Sequence, residues 1–147
     1  MRLAHGLTKG IGPYGRREQR RGTPSLITRQ VAEETDVIRV TLRMAFHRER
    51  SGEVLQILNP MAERTRIEPG CLACNIYQDV RDAGVIMLEE LWRCEAEMRR
   101  HLRSEQYRNI LLVMEMALEP PEVRFDEIAR STGVETIEKA RLGAAEA

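Results

Sequence analysis

Three side chains in the middle of the chain combine an acid, a base and a flat aromatic surface. The imidazole of His101 titrates near neutral pH, so it can take up or release a proton under ordinary conditions. Trp92 is the chain's only tryptophan, and its indole could stack on a flat ligand. Glu90 precedes it by two residues and therefore shares its face on a strand. These residue types could form an acid/base centre beside an aromatic wall.

Each of the three also has a plainer structural role. His101 could be a buried histidine bonded to a backbone carbonyl, and Trp92 could be a large core anchor. Glu90 could either hydrogen-bond in a pocket or pair with a nearby arginine, because burying a carboxylate without a partner is costly. Both sets of roles stay open on residue types alone.

The cysteines favour neither a metal site nor disulfides. Cys71 and Cys74 have zinc-like spacing, but residues three apart on a strand point to opposite faces, and no second ligand pair has that spacing. With Cys94 they make an odd number, which indicates reduced thiols in a chain without an export signal. Asn75 and Tyr77 share a face of the same strand and could hydrogen-bond a ligand or a dimer partner.

Composition indicates an ordinary cytoplasmic domain. Hydrophobic residues make up 42% and charged residues 31% of the 147 residues, and aromatic residues only 4%, so the core must rely on aliphatic side chains and methionine. No window is long and apolar enough for a spanning helix, and the N-terminus lacks the apolar core of a secretory signal. We therefore expect no membrane association.

The chain divides into three parts by composition. Residues 1–35 are basic and interrupted by glycine and proline, which predicts a disordered arm. Residues 36–130 hold the periodic apolar patterns and carry a slight negative charge, which argues against nucleic-acid binding by this domain. Residues 131–147 form a C-terminal tail with a short helix expected at 135–141.

The periodic patterns predict a ferredoxin-like α+β fold. Ile38, Val40, Leu42, Met44 and Phe46 alternate with other residues, which is typical of a strand with one apolar face. The predicted strands are 37–46, 71–79, 85–92 and 122–128; the predicted helices are one that begins with Ser51 as N-cap and ends near 68–70, and one at 94–104 that continues through 105–116. The order β-α-β-β-α-β places both helices on one face of a four-stranded antiparallel sheet.

This topology leaves the other sheet face open. Val85, Met87 and Leu91 would be exposed there together, and a two-fold homodimer that stacks sheet on sheet would cover them. Arg39, Thr41 and Arg43 share that face of the first strand, where the arginines need carboxylates such as Glu89.

A pocket is expected on the covered face, between helices and sheet. His101 has the helical phase of Met98 and Leu102, which turns it toward the sheet. The predicted binding residues in that pocket are Trp92, Glu90, Met98, Leu88 and Leu42.

Four segments together carry a family resemblance. They are Arg66-Ile-Glu-Pro-Gly-Cys-Leu, Tyr77-Gln-Asp, Glu89-Glu-Leu-Trp92 and His101-Leu-Arg-Ser. In this order and spacing, residues 37–130 resemble the antibiotic biosynthesis monooxygenase family of dimeric α/β barrels. The family includes oxygenases that act on polycyclic phenols or quinols without metal or organic cofactor, haem-degrading enzymes, and proteins with no known substrate.

The resemblance implies a cofactor-independent monooxygenase that binds an aromatic or quinol-type small molecule. His101 would then take or hold the phenolic proton, and Trp92 and Glu90 would shape the pocket. The alternative is a non-catalytic binding or regulatory module, whose cavity would be filled by Met44, Met61, Met87 and Met98. Haem degradation fits less well, because the haem-degrading pattern has an Asn in the first strand and residues 37–46 contain none.

Overall fold

A computed structural model describes residues 36–145, so the predicted N-terminal arm lies outside the described part of the chain. The elements are β1 (Val37–Ala45), a 3₁₀ turn (Arg48–Arg50), α1 (Ser51–Arg66), β2 (Cys71–Gln78), β3 (Val85–Trp92), α2 (Glu95–Leu102), α3 (Tyr107–Glu115), β4 (Glu122–Ile128) and α4 (Glu135–Ala145). This order confirms the predicted ferredoxin-like α+β fold.

The four strands form one antiparallel sheet in the order β2-β3-β1-β4. The two central strands set the register of the site, because Ile38 lies opposite Trp92, Val40 opposite Glu90 and Leu42 opposite Leu88. Opposed residues point to the same face. The apolar row of β1 and the residues predicted to form the site therefore lie on one side of the sheet.

The core lies between that sheet face and helices α1 to α3. The β1 row is buried as predicted, and α1 and α3 add Val54, Leu58, Ile110 and Val113. Trp92 is the largest fully buried side chain. Its strand alternates strictly between buried and half-buried residues, so β3 is a central strand with one covered face within a single chain.

The prediction of one continuous helix over 94–116 is wrong. The chain turns between α2 and α3, where the Ser104 N–H bonds to the His101 carbonyl and the Tyr107 N–H bonds to the Ser104 carbonyl. Six residues of continuous α-helix would place His101 and Tyr107 about 240° apart around the axis. The turn instead allows both rings to face the core.

The start of α1 also differs from the prediction. Ser51 is the first helical residue rather than the N-cap, and its hydroxyl donates to the Arg48 carbonyl at 2.8 Å. The preceding 3₁₀ turn takes up the position that a capping side chain would occupy.

The second sheet face carries a mixed polar and apolar surface. Val85, Met87 and Leu91 are half-buried there. Arg39 lies 3.9 Å from Glu89, so this arginine has a carboxylate partner within its own chain. Between residues 36 and 145, no helix is long and apolar enough to cross a bilayer.

Candidate functional site

His101 lies in the last turn of α2, with its side chain against the sheet. Glu95 and Glu97 stand in the first turn of this helix and Arg99, Arg100 and His101 in the last, an order that complements the helix dipole and favours positive charge at position 101. The residue is only 2% exposed. The expected inward orientation of His101 is therefore observed.

Both ring nitrogens of His101 face carboxylates. Nδ1 lies 3.0 and 3.1 Å from the two carboxylate oxygens of Glu68. Nε2 lies 3.3 Å from Oε1 of Glu90. A doubly protonated ring can donate to both carboxylates at once, whereas a neutral ring can donate to only one. The arrangement therefore suits an imidazolium held between two acids.

Two aromatic rings complete the cluster. The indole of Trp92 lies 4.7 Å from the His101 ring at an interplanar angle of 31°, and its Nε1 donates to Oε2 of Glu90 at 2.9 Å. Tyr107 meets the imidazole edge-on at 5.3 Å. His101, Glu90 and Trp92 thus lie together, and Glu90 has two partners for its buried carboxylate.

The surroundings raise the pKa of His101 above its ordinary value. Burial is the largest single effect and lowers the pKa, but the hydrogen bonds and negative charges of Glu90 and Glu68 more than offset it. Burial and the charge of Glu90 also raise the pKa of Tyr107 to about 12. At neutral pH this phenol is therefore uncharged.

Glu68 and Tyr107 were not predicted as site residues. Glu68 lies in the loop between α1 and β2, 33 residues from His101, and no periodicity connects a loop residue to a distant helix. Its only sequence signal was its place in the Arg66–Leu72 segment. Tyr107 reaches the site because the helix breaks before it, which the apolar pattern did not reveal.

The loop that carries Glu68 is fixed to the start and end of α2. The Pro69 carbonyl accepts from Arg100 at 3.1 Å, and the Gly70 carbonyl accepts from the Arg93 N–H at 2.8 Å. Gly70 has φ +84 and lies against the Glu97 side chain, where a Cβ would overlap it. These contacts position Glu68 beside the imidazole.

The prediction that Cys71 and Cys74 point to opposite faces is wrong. A register shift after Cys71 pairs it with Trp92 and pairs Cys74 with Glu90, so the bulge turns both thiols toward the helices. Burial, followed by the charge of Glu90, raises the pKa of Cys71 to about 11 and that of Cys74 to about 12. Both are protonated thiols at neutral pH. No three His, Cys, Asp or Glu side chains within 36–145 are grouped to hold a metal ion.

The space between α1 and the sheet is narrow. It measures about 170 Å³, does not admit a water-sized sphere, and is bordered by eight residues: Leu58, Met61, Ala62, Thr65, Cys74, Leu88, Glu90 and Ile110. The other three predicted binding residues do not border it. Trp92 and Leu42 are buried in the core, and Met98 borders a surface groove beside Phe125.

Solved structures share this fold at low sequence identity. A protein of Methanosarcina mazei Go1 is 22% identical, with a TM-score of 0.59 over 66% of this chain and 97% of its own. An antibiotic biosynthesis monooxygenase is 24% identical, with a TM-score of 0.58 over 63% and 99%. The protein Rv0793 of Mycobacterium tuberculosis is 21% identical, with a TM-score of 0.60 over 66% and 99%. No curated protein matches the chain.

The family assignment comes from the sequence itself. The sequence profile of the antibiotic biosynthesis monooxygenases matches residues 37–111, which run from the start of β1 into α3 and include Glu68, Glu90, Trp92 and His101. Because this match spans just over half of the chain, the chain belongs to the antibiotic biosynthesis monooxygenase family.

Proposed function

We propose that this protein is a monooxygenase that oxidises an aromatic or quinol-type small molecule without a metal or organic cofactor, and that His101 is its acid/base group. The observation that carries the proposal is the buried imidazole between Glu68 and Glu90, stacked against Trp92. Family membership supports oxygen chemistry in general.

The reaction needs the protein to supply only a base and a shaped site. A phenol or quinol that has lost its proton is itself an electron donor to oxygen. The neutral form of His101, whose fraction grows as pH rises through its raised pKa, would take that proton, and the two neighbouring carboxylates would stabilise the resulting imidazolium. Trp92 and Glu90 would shape the pocket, with the indole N–H holding the Glu90 carboxylate in place.

Substrate access requires the site to open. The space at Glu90 does not admit even a water-sized sphere, so a flat substrate must displace part of the protein. Met61 of α1 borders this space, and its flexible side chain is the one best placed to move. We expect this side chain to shift when substrate binds, while Glu68 keeps its contact with His101.

A second candidate is a non-catalytic binding or regulatory module of the same fold. The packed interior favours it, since Met44, Met61 and Met98 are all buried among the core residues. Met87, also expected to fill the cavity, instead lies half-buried on the second sheet face. Such a module would bind an aromatic ligand and quench Trp92 fluorescence without consuming oxygen.

We further propose that the working species is a homodimer joined through the second sheet face. The half-buried Val85, Met87 and Leu91 support this arrangement, because a partner sheet would remove their apolar surface from water. A shallow depression at Arg43, Tyr77 and Met87 lies on the same face.

Oxygen consumption tests the proposed activity. Purified protein is mixed with a panel of quinols and polycyclic phenols in the presence of a metal chelator. His101→Gln is expected to lower the rate by about 100-fold or more, whereas exposed His47→Gln should leave it unchanged. No uptake with any compound, together with saturable quenching of Trp92, would favour the binding module. Equal uptake by wild type and His101→Gln would remove His101 from the mechanism.

A further inference from the structure

We propose that Glu68 is a positioning residue of this site: its carboxylate keeps the proton of the neutral His101 ring on Nδ1, which leaves Nε2 as the nitrogen that exchanges a proton with the substrate. This inference rests on the proposed function for its role in turnover. The protonation pattern itself is a property of the resting protein.

The contact geometry favours Glu68 over Glu90 as the holder of that proton. Nδ1 lies within hydrogen-bond distance of both Glu68 oxygens, at 3.0 and 3.1 Å, whereas Nε2 faces one Glu90 oxygen at the longer distance of 3.3 Å. Glu90 also accepts from the indole of Trp92. If the ring loses its Nε2 proton, Glu90 still accepts a hydrogen bond from the Trp92 indole. If the ring loses its Nδ1 proton, Glu68 loses the donor that the ring supplies.

The two carboxylates differ in burial, so the two ring nitrogens of His101 have different surroundings. Glu68 has a side chain that is 23% exposed, while Glu90 is 1% exposed. Nε2 therefore points into the buried side of the cluster, toward Trp92 and the narrow space that Glu90 borders. A base in this position needs a free lone pair on Nε2, which requires its remaining proton to sit on Nδ1.

The proton step is simple to balance. The O–H bond of a phenol or quinol breaks, an N–H bond forms at Nε2, and the substrate stays bound as its anion. The ring becomes an imidazolium whose charge lies between Glu68 and Glu90. Return of the Nε2 proton to water or product restores the Nδ1–H form.

Other ionisable groups around the ring do not interfere with the test. Glu68 faces it from the loop, Glu90 from β3 and Tyr107 from α3, and the two thiols of β2 lie near Glu90. Burial raises the pKa of Tyr107 to about 12 and those of Cys71 and Cys74 to about 11 and 12. These groups therefore stay protonated at about pH 9 to 10, where the tautomer is measured.

Nitrogen NMR of isotope-labelled histidine measures the tautomer directly in the full chain. The His101 signals are assigned as those lost in His101→Gln. In wild type at about pH 9 to 10, where a histidine is ordinarily neutral, we expect the proton on Nδ1. Glu68→Gln, whose amide can donate to Nδ1, should shift the population toward the Nε2–H form. A wild-type ring protonated on Nε2 would overturn the proposal without any assay of activity.

Turnover gives the second readout. Glu68→Gln should lower the maximal rate of oxygen uptake by about 100-fold with little change in KM, and Glu68→Asp should restore part of it. Glu63→Gln, on the exposed side of α1, is the matched control and should retain the full rate. If uptake needs His101 but is unchanged in Glu68→Gln, the role of Glu68 is wrong and the proposed function stands. If wild type consumes no oxygen, the proposed function fails and the tautomer measurement still decides the role of Glu68.

Discussion

His101 links the stability of the fold to pH. Its pKa is raised above the ordinary value of 6.5 by Glu90 and Glu68 despite burial. A raised pKa means that the folded state binds the proton more tightly than the unfolded chain does. The resulting stabilisation is fully present below about pH 6.5 and is lost as pH rises through the folded-state pKa.

The effect should appear as a difference in the free energy of unfolding between wild type and His101→Gln that decreases as pH rises. The free energy of unfolding of wild type should exceed that of His101→Gln most at about pH 6 and less at about pH 9, by roughly 1.4 kcal/mol for each unit of raised pKa. Urea denaturation followed by circular dichroism measures both curves. A difference that grows with pH would mean that the folded site prefers the neutral ring.

Two neighbouring carboxylates allow a matched comparison of burial. In Glu90→Gln, the amide N–H₂ would replace one carboxylate oxygen and would face either the Trp92 indole N–H or the Nε2–H of the protonated His101 ring, both of which are donors. We expect a loss of about 3 to 5 kcal/mol in unfolding free energy, typical of breaking a buried ionic network. Glu89→Gln, one residue away on the opposite face beside Arg39, should cost about 1 kcal/mol or less. Equal losses in urea denaturation would contradict the buried network.

The residues of the site were only partly predictable. Trp92 and Glu90 follow from strand alternation, and the inward face of His101 follows from helical phase, because both periodicities are local properties of the chain. Glu68 depends on how a loop folds back on a helix 33 residues later. No local pattern encodes that approach.

The loop of residues 67–70 gives a test at the scale of elements. Gly70 has a positive φ, and a Cβ there would overlap the side chain of Glu97. Gly70→Ala should therefore destabilise the fold by about 1 to 3 kcal/mol and displace Glu68 from His101. Gly52→Ala, in the first turn of α1 with nothing within 4 Å of its added Cβ, should be neutral or slightly stabilising.

Thermal unfolding of the two glycine variants provides the measurement. A Gly70→Ala protein as stable as wild type, with an unchanged His101 pKa, would show that the loop does not position Glu68. The same result for Gly52→Ala is expected and serves as the control.

Element types were predictable where the apolar period was unbroken. β1 and β3 begin where the alternation predicted, since one face of each strand meets the core. β4 also has the predicted bounds, although its residues are exposed or half-buried. The two departures have a common cause. Each departure changes the direction in which the following side chains point: one is the turn between α2 and α3, and the other is the bulge after Cys71. The new direction is favoured by tertiary packing, which a local pattern does not contain.

For the whole molecule, the second sheet face predicts the oligomeric state. Met87→Asp would place a carboxylate in the centre of the proposed dimer interface, where it lies opposite Arg43 and Tyr77 on the neighbouring strands. Analytical ultracentrifugation should give a dimer for wild type and a monomer for Met87→Asp. Leu111→Asp, on the exposed side of α3, should leave the dimer intact. A wild-type monomer at micromolar concentration would exclude this dimer.

The topology could be inferred from sequence, but whether the interior contains a cavity could not. Order and periodicity of six elements determine a ferredoxin-like sheet with helices on one face. Whether those layers enclose a cavity depends on how side chains such as Met61 and Leu58 fill the space, and periodicity contains no information about volume. The narrow space beside Glu90 is therefore a property found only in the folded chain.

The charge of His101 at neutral pH is the most direct test of an acid/base centre held between two carboxylates. Nitrogen NMR of labelled histidine should find both ring nitrogens of His101 mostly protonated at pH 6.5, because its pKa is raised above that ordinary value. A His101 ring that is neutral at pH 6.5 and below would contradict the account, because Glu68 and Glu90 would then not be stabilising an imidazolium.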